Sequence, residues 1–135
     1  MITFEYIEEA ELEIGLNEKL WLNNAIRMEG FIPGDISYQF CNDEYMLSQN
    51  IKYLNHDTYT DIITFDYNVG TVVNGSILIS LDRVKDNSEK FSVDFYNELH
   101  RVLVHGTMHL CGYKDKTDEE ANLMRQKENE YLNML

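Results

Sequence analysis

The chain has little cysteine, and this shortage limits where the protein is expected to work. Only two cysteines, Cys41 and Cys111, occur in 135 residues. The N-terminus lacks a basic segment followed by an apolar one, so a secretory leader is not expected. Two cysteines in such a chain predict free thiols in a reducing compartment rather than a disulfide. We therefore expect a cytoplasmic protein.

Long apolar runs and proline are also scarce. No apolar run approaches the roughly 18 residues of a membrane helix, so no membrane partner is expected. The lone proline, Pro33, precedes Gly34 and predicts a turn. A hydrophobic content of 44% is too high for a disordered chain and predicts one folded domain over residues 1–135.

Positive charge is the third shortage. Eleven basic residues stand against 24 acidic ones, which gives a net charge of −13. The field of such a chain repels nucleic acid and argues against a general RNA-coating protein. It does not exclude a nuclease whose contact is local and whose metal ion supplies positive charge at the phosphate.

The segment His-Gly-Thr-Met-His-Leu-Cys-Gly-Tyr-Lys-Asp at residues 105–115 carries the clearest chemistry. His105 and His109 are one helical turn apart, so one face of a helix presents both to a single ion. Gly112 suits a left-handed helix end, after which Asp115 can return an oxygen to the same ion. Three protein ligands leave a position for water, which predicts a metal-dependent hydrolase with metal-bound water as the nucleophile. No other catalytic residue is identifiable.

Other interpretations and residues have to be weighed against this site. Asp115 also suits the cap of the next helix beside Thr117, and a neighbouring carboxylate would then complete the coordination. Cys111 follows His109 by two positions and is predicted to be a buried helix residue, not a ligand. His56 and His100 lack a partner at ligand spacing and are predicted to have no metal role.

The spacing of the two histidines and Asp115 matches that of the metzincin peptidases, but peptidase activity is not expected. Gly106 stands where a zinc peptidase carries its general-base glutamate, and Asp115 stands where histidine is usual. Losing the general base commonly costs a factor of roughly 10² to 10⁴ in rate.

The same segment resembles the H-G-x-L-H-L-x-G-Y-D-H signature of the YbeY family. Two upstream blocks, Thr60-Asp-Ile-Ile-Thr-Phe65 and Gly75-Ser-Ile-Leu-Ile-Ser80, resemble that family's T-D-V-L-S-F and G-D-I-x-I-S strands in the same order. The resemblance implies a metal-dependent, single-strand-specific endoribonuclease. It further implies a role in maturation of the 16S ribosomal RNA 3′ end and in ribosome assembly and quality control. The implied partners are single-stranded RNA and the ribosome or its proteins, with no DNA.

Departures from the family pattern leave a second hypothesis open. Asp115 stands where the family has a histidine, and Lys114 stands where it has an aspartate. Leu54 aligns with the family's arginine, so the chain lacks the planar guanidinium that suits phosphate binding at this position. Zn²⁺ is the expected ion, but the hard carboxylate oxygen of Asp115 would also suit Mn²⁺ or Fe²⁺. Lys52 is the candidate for RNA contact. The alternative is a non-catalytic, metal-binding ribosome-assembly factor.

Hydrophobic periodicity predicts an α+β fold, a four-stranded mixed sheet covered by helices in a metzincin-like arrangement with the metal-binding helix at its centre. Strands are predicted near 2–6, 36–40, 61–67 and 76–80, the last two antiparallel because their connection is too short for a helical crossover. Helices are predicted near 13–29, 42–53 and 81–87, then a long one capped by Ser92. A capping box at Thr117–Glu120 opens the last helix, with Met124, Tyr131, Leu132 and Leu135 as its buried stripe.

Overall fold

The computed structural model describes residues 1–55 and 60–135. The predicted α+β architecture with a four-stranded mixed sheet is confirmed. The strands are β1 (Ile2–Tyr6), β2 (Ile32–Cys41), β3 (Ile62–Asp66) and β4 (Val72–Ser80). The helices are α1 (Leu16–Met28), α2 (Asp43–Leu54), α3 (Leu81–Lys90), α4 (Phe95–Leu110) and α5 (Asp118–Leu132). Within the described ranges, no helix combines the length and apolar character needed to span a membrane.

The sheet has the strand order β1-β2-β4-β3. β2 pairs in parallel with both β1 and β4, whereas β3 and β4 are antiparallel, as the short connection between them predicts. Ile36, Tyr38 and Phe40 alternate along β2 and are buried on one face of the sheet. Their layer packs with α1 and α4 in the main hydrophobic core.

Helix α4 is the centre of the domain and carries both histidines. It contacts α1, α3, α5 and the strands β3 and β4. Its buried side chains point in several directions, as a helix enclosed on most sides requires. On the opposite face of the sheet, Cys41, Met46, Ile63 and Leu78 form a smaller core under α2.

Two predicted boundaries were wrong around the start of α4. The polar stretch at 86–90 is helical and completes α3, because Ser88 turns inward beside buried Val84 and the other polar residues face solvent. Asp94, not Ser92, caps α4, since its side chain accepts a hydrogen bond from the Tyr96 amide at 3.0 Å. Ser92 lies between the helices with φ of 55°.

The turn predicted at Pro33 is also wrong. Pro33 and Gly34 lie inside β2, which begins at Ile32 and pairs with an equally extended β4. The register shifts between Pro33 and Ile36, and such irregularities are where a strand tolerates proline. Helix α1 begins at Leu16 rather than near 13. At this start, the Glu18 side chain accepts a hydrogen bond from the Gly15 amide at 2.8 Å.

The start of α5 agrees with the sequence pattern, whereas its end does not. Thr117 and Glu120 form the predicted capping box with reciprocal bonds of 3.1 and 3.0 Å. Met124 and Tyr131 are buried and Leu132 is half-buried. Leu135 is 48% exposed because the chain leaves the helix after Leu132, so its predicted burial was wrong.

Candidate metal centre

The C-terminal end of α4 brings the predicted metal ligands together. His105 and His109 lie on one helix face with ring centroids 4.5 Å apart. Gly112 then adopts φ of 101°, as predicted for a left-handed helix end. The Gly112 amide donates to the His109 carbonyl and the Tyr113 amide to the Met108 carbonyl, both at 3.0 Å. This pair of bonds reverses the chain and leads it back towards the histidines.

Asp115 lies on the returning segment and faces both rings. Its Oδ2 is 3.2 Å from Nε2 of His105 and 3.3 Å from Nε2 of His109. Two ligand atoms bound to one zinc ion at tetrahedral angles would be roughly 3.3 Å apart, given bonds of about 2.0–2.2 Å. The three side chains therefore could hold a divalent ion, and all three retain solvent exposure for a further ligand. Thr117, not Asp115, caps α5.

Each histidine has its second ring nitrogen occupied. Nδ1 of His109 is 2.9 Å from the Tyr113 carbonyl oxygen, which can only accept, so this nitrogen carries the proton. Nδ1 of His105 is 2.6 Å from Oε2 of Glu128 on α5. Both contacts occupy Nδ1, so Nε2 is the nitrogen of each ring that faces Asp115 and would bind a metal ion.

Glu128 was missed in the sequence, where it occupies the buried stripe of α5. It is 5% exposed, and Nη1 of Arg101 lies 2.9 Å from its Oε1. Burial alone raises the pKa of Glu128, but hydrogen bonds from His105 and Arg101 outweigh burial and hold this pKa below its ordinary value. Burial lowers the pKa of His105, yet the bond to Glu128 and nearby carboxylates raise it overall. The sequence offered one signal of this role, because Glu128 is a charged residue at a position of α5 where the helical periodicity predicts a buried apolar side chain.

Glu29, at the C-terminal end of α1, forms hydrogen bonds with both segments that orient the histidines, namely the loop after α4 and helix α5. Its Oε1 accepts a 2.5 Å hydrogen bond from the Tyr113 hydroxyl, in the loop whose carbonyl holds His109. Its Oε2 accepts from the Tyr131 hydroxyl and, at 3.1 Å, from Lys127 Nζ. Tyr131 and Lys127 flank Glu128 on α5. Glu29 thus ties α1 to both segments behind the site.

Gly106 faces the sheet rather than the candidate metal site. A Cβ at this position would lie 2.7 Å from Ile62 Cδ1 and 3.0 Å from Ile77 Cγ2. The close approach of α4 to the sheet therefore disfavours a larger residue here, because the Ile62 and Ile77 side chains would have to shift.

A cleft of about 290 Å³ opens beside the candidate ligands. His105 and Asp115 line it together with side chains from α3, α4 and α5. Two carboxylic acids, Asp61 and Glu98, also face it. Burial raises the pKa of both groups, and the charge of Asp61 adds to the rise at Glu98. Asp61 belongs to the Thr60–Phe65 block, but its position beside the ligands was not foreseen.

The remaining predicted residues lie away from this group. Lys52 is exposed in the last turn of α2, with Nζ 5.1 Å from the Tyr53 ring centroid, and it does not line the cleft. Leu54 ends the same helix and is exposed. His100 contacts Glu18 at 3.2 Å and lies outside the candidate ligand group. His56 lies outside the described residues.

Cys111 is buried, as predicted, but it is the C-cap of α4 rather than a residue inside the helix. Cys41 and Cys111 are buried free thiols, and Cys111 is not part of the candidate ligand group. Burial raises the pKa of each to about 12, with nearby carboxylates adding to it. At neutral pH both thiols are therefore protonated and poor metal ligands.

Comparison with known proteins decides the family. A sequence profile described as Endoribonuclease YbeY matches residues 5–135. The chain belongs to the YbeY family. An Endoribonuclease YbeY of Flavobacterium johnsoniae is 50% identical over 137 residues, covering 99% of this chain and 96% of that protein. The Flavobacterium psychrophilum protein of the same name is 46% identical over 134 residues, with the same coverage.

A solved structure supports the YbeY fold. The solution structure of TM1509 from Thermotoga maritima matches 98% of this chain and 87% of its own, with a TM-score of 0.68 and 26% identity. The resemblance seen in three sequence blocks therefore extends over the whole described fold.

Proposed function

We propose that this YbeY-family chain is a metal-dependent endoribonuclease that cuts single-stranded RNA. The observation that carries the proposal is the convergence of His105 Nε2, His109 Nε2 and Asp115 Oδ2 on one point beside a cleft that His105 and Asp115 line. The names of the similar proteins support RNA as the substrate class.

The chain's own residues would hold and orient the ion. Glu128 and the Tyr113 carbonyl hold Nδ1 of the two imidazoles and so orient both Nε2 atoms towards the candidate ion position, which limits the reorganisation needed on binding. Asp115 contributes an anionic oxygen, which suits Zn²⁺ and also the harder Mn²⁺ and Fe²⁺. A divalent ion bound there would supply a Lewis acid and a more acidic water next to the scissile phosphodiester.

The shape of the site supports single strands over duplexes. The cleft is near the lower end of the roughly 300–1,000 Å³ of small-ligand pockets, so it admits one small group rather than a paired helix. The net charge of −13 also requires that phosphate contacts be local. We propose that the substrate is ribosomal RNA near the 16S 3′ end. We also propose that cleavage takes place in the cytoplasm, with the ribosome or its proteins as partner. Membership of the YbeY family supports the substrate and the partner.

Leu54 supports a second candidate, a non-catalytic ribosome-assembly factor that binds metal and RNA. The exposed apolar side chain at this position cannot hold a phosphate as an arginine would. Reintroducing a guanidinium with Leu54→Arg would raise cleavage if the phosphate contact limits the enzyme. A non-catalytic factor would remain inactive.

A cleavage assay tests the proposal and separates the two candidates. A labelled single-stranded RNA and a matched duplex are incubated with the protein, with and without chelator. Cleavage of the single strand that chelator abolishes and added ion restores supports the enzyme. Binding without cleavage under every ion tested supports the assembly factor, and equal rates on single and double strands contradict the proposed specificity.

A further inference from the structure

The cleft beside the candidate ligands has an exposed aromatic ring in its wall. Phe91 follows the last residue of α3, lines the cleft and is 55% exposed. Lys90 places its Nζ 5.7 Å from the centroid of this ring. A half-exposed aromatic ring in a cleft wall offers a face on which a nucleobase can stack, and the nearby ammonium group adds positive charge for a phosphate.

Two guanidinium groups with different surroundings also line the cleft, from α4 and α5. Arg101 is largely enclosed, with Nη1 2.9 Å from Glu128 and Nη2 3.0 Å from Asn129. Arg125 has a side chain that is 58% exposed, and its contact with Glu128 is longer, at 3.5 Å. Arg101 therefore serves the Glu128–His105 pair, whereas Arg125 keeps donors directed to solvent at the cleft.

We propose that this cleft is a nucleotide subsite of the RNA-binding surface. Phe91 stacks on the base of a nucleotide next to the scissile phosphate, and Arg125 binds a phosphate of the same strand. This inference rests on the proposed function, because it places the scissile phosphate at His105, His109 and Asp115. The cleft volume limits the occupant to about one small ligand.

The subsite gives a physical reason for a preference for single strands. A base can lie flat on Phe91 only when it is not stacked inside a duplex. Since every base presents a π-face, the contact does not select a sequence.

Fluorescence of a base analogue tests the stacking contact. The probe is a short single-stranded RNA with one 2-aminopurine, mixed with protein and read by stopped flow before cleavage. We expect quenching that Phe91→Leu removes, together with a rise in Kd of about tenfold. Phe91→Trp should preserve both signals. The control is Tyr67→Leu, an aromatic residue 63% exposed near the end of β3 and outside the cleft, which should change neither.

Salt dependence tests the phosphate contact. Arg125→Gln should reduce the slope of log Kd against log salt concentration by about 0.7, as expected for one lost phosphate contact with a single strand. Arg27→Gln makes the same charge change at an exposed position on α1 away from the cleft and should leave the slope nearly unchanged.

The subsite and the proposed function fail in different measurements. If Phe91→Leu quenches and binds the 2-aminopurine RNA like the unmodified protein, the proposed subsite is wrong. This conclusion holds even if chelator-sensitive cleavage shows that the protein is an endoribonuclease. If no ion supports cleavage but quenching depends on Phe91, the subsite stands and the proposed function is wrong. Equal slopes for Arg125→Gln and Arg27→Gln would overturn the phosphate contact.

Discussion

Nδ1 of His105 on α4 lies 2.6 Å from Oε2 of Glu128 on α5, and this bond links the candidate ion to a buried ion-pair network. A carboxylate in this position fixes the imidazole tautomer and raises the basicity of Nε2. The same carboxylate also accepts from Arg101, so its charge is balanced in an environment with little solvent.

We expect Glu128→Gln to weaken metal binding about 10- to 100-fold, because the amide keeps the shape but loses the charge that orients His105. Competition with a chromophoric chelator measures the metal Kd. Glu130→Gln makes the same change on an exposed residue of α5 and should leave the Kd unaltered. Equal affinities for the two variants would show that the His105–Glu128 bond has no role in metal binding.

Replacing either His105 or His109 with alanine should lower bound metal at least tenfold, since both Nε2 atoms face the same point. Elemental analysis of protein purified without added metal measures this and identifies the native ion. His100→Ala serves as the control. Near-stoichiometric zinc in the double alanine variant would rule out the assignment.

Asp115→Asn should weaken metal binding strongly, because a neutral amide oxygen replaces an anionic one of similar size. Asp115→His should bind metal and shift its preference towards zinc and away from manganese. Removing the anionic ligand should also move the alkaline rise of the pH–rate profile to lower pH in the histidine variant. Asp118→Asn, in the first turn of α5, is the control for a nearby carboxylate. Unchanged affinity in Asp115→Asn would mean that another group completes the site.

Glu29→Gln should destabilise the protein by about 1–3 kcal/mol at neutral pH, as expected for losing a buried carboxylate that accepts several hydrogen bonds. Burial opposes ionisation of Glu29, but bonds from Tyr113, Tyr131 and Lys127 hold its pKa below the ordinary value. Its stabilising contribution is therefore complete above the unfolded-state pKa and is lost as pH falls through the lower folded-state pKa. Denaturant unfolding should show the difference from the unmodified protein shrinking below about pH 4.5. A difference that stays constant to lower pH would contradict this ionisation.

Gly106→Ala should lower the free energy of unfolding by about 1–3 kcal/mol, because the new Cβ would overlap Ile62 and Ile77. Denaturant titration measures the loss. Gly15→Ala adds the same methyl group where no atom lies within 4 Å and should cost less. Equal losses would show that α4 and the sheet can move apart easily.

The amino-acid sequence alone determined the parts of the site that depend on local geometry. His105 and His109 share a face because of the helical repeat, and Gly112 ends α4 because it adopts a positive φ without strain. The capping box at Thr117 likewise needs only neighbouring residues. Asp115 was within reach of sequence reasoning because few residues separate it from the helix end.

Tertiary structure decided what depends on distant segments. Glu128 meets His105, and Glu29 meets Tyr113 and Tyr131, only because α1, α4 and α5 pack together. Pro33 was misjudged because pairing with β4, which no local propensity encodes, extends β2 around it. A local pattern limits the conformation of a few neighbouring residues, whereas the partner of a buried charge is set by how the helices and the sheet exclude water from their shared core.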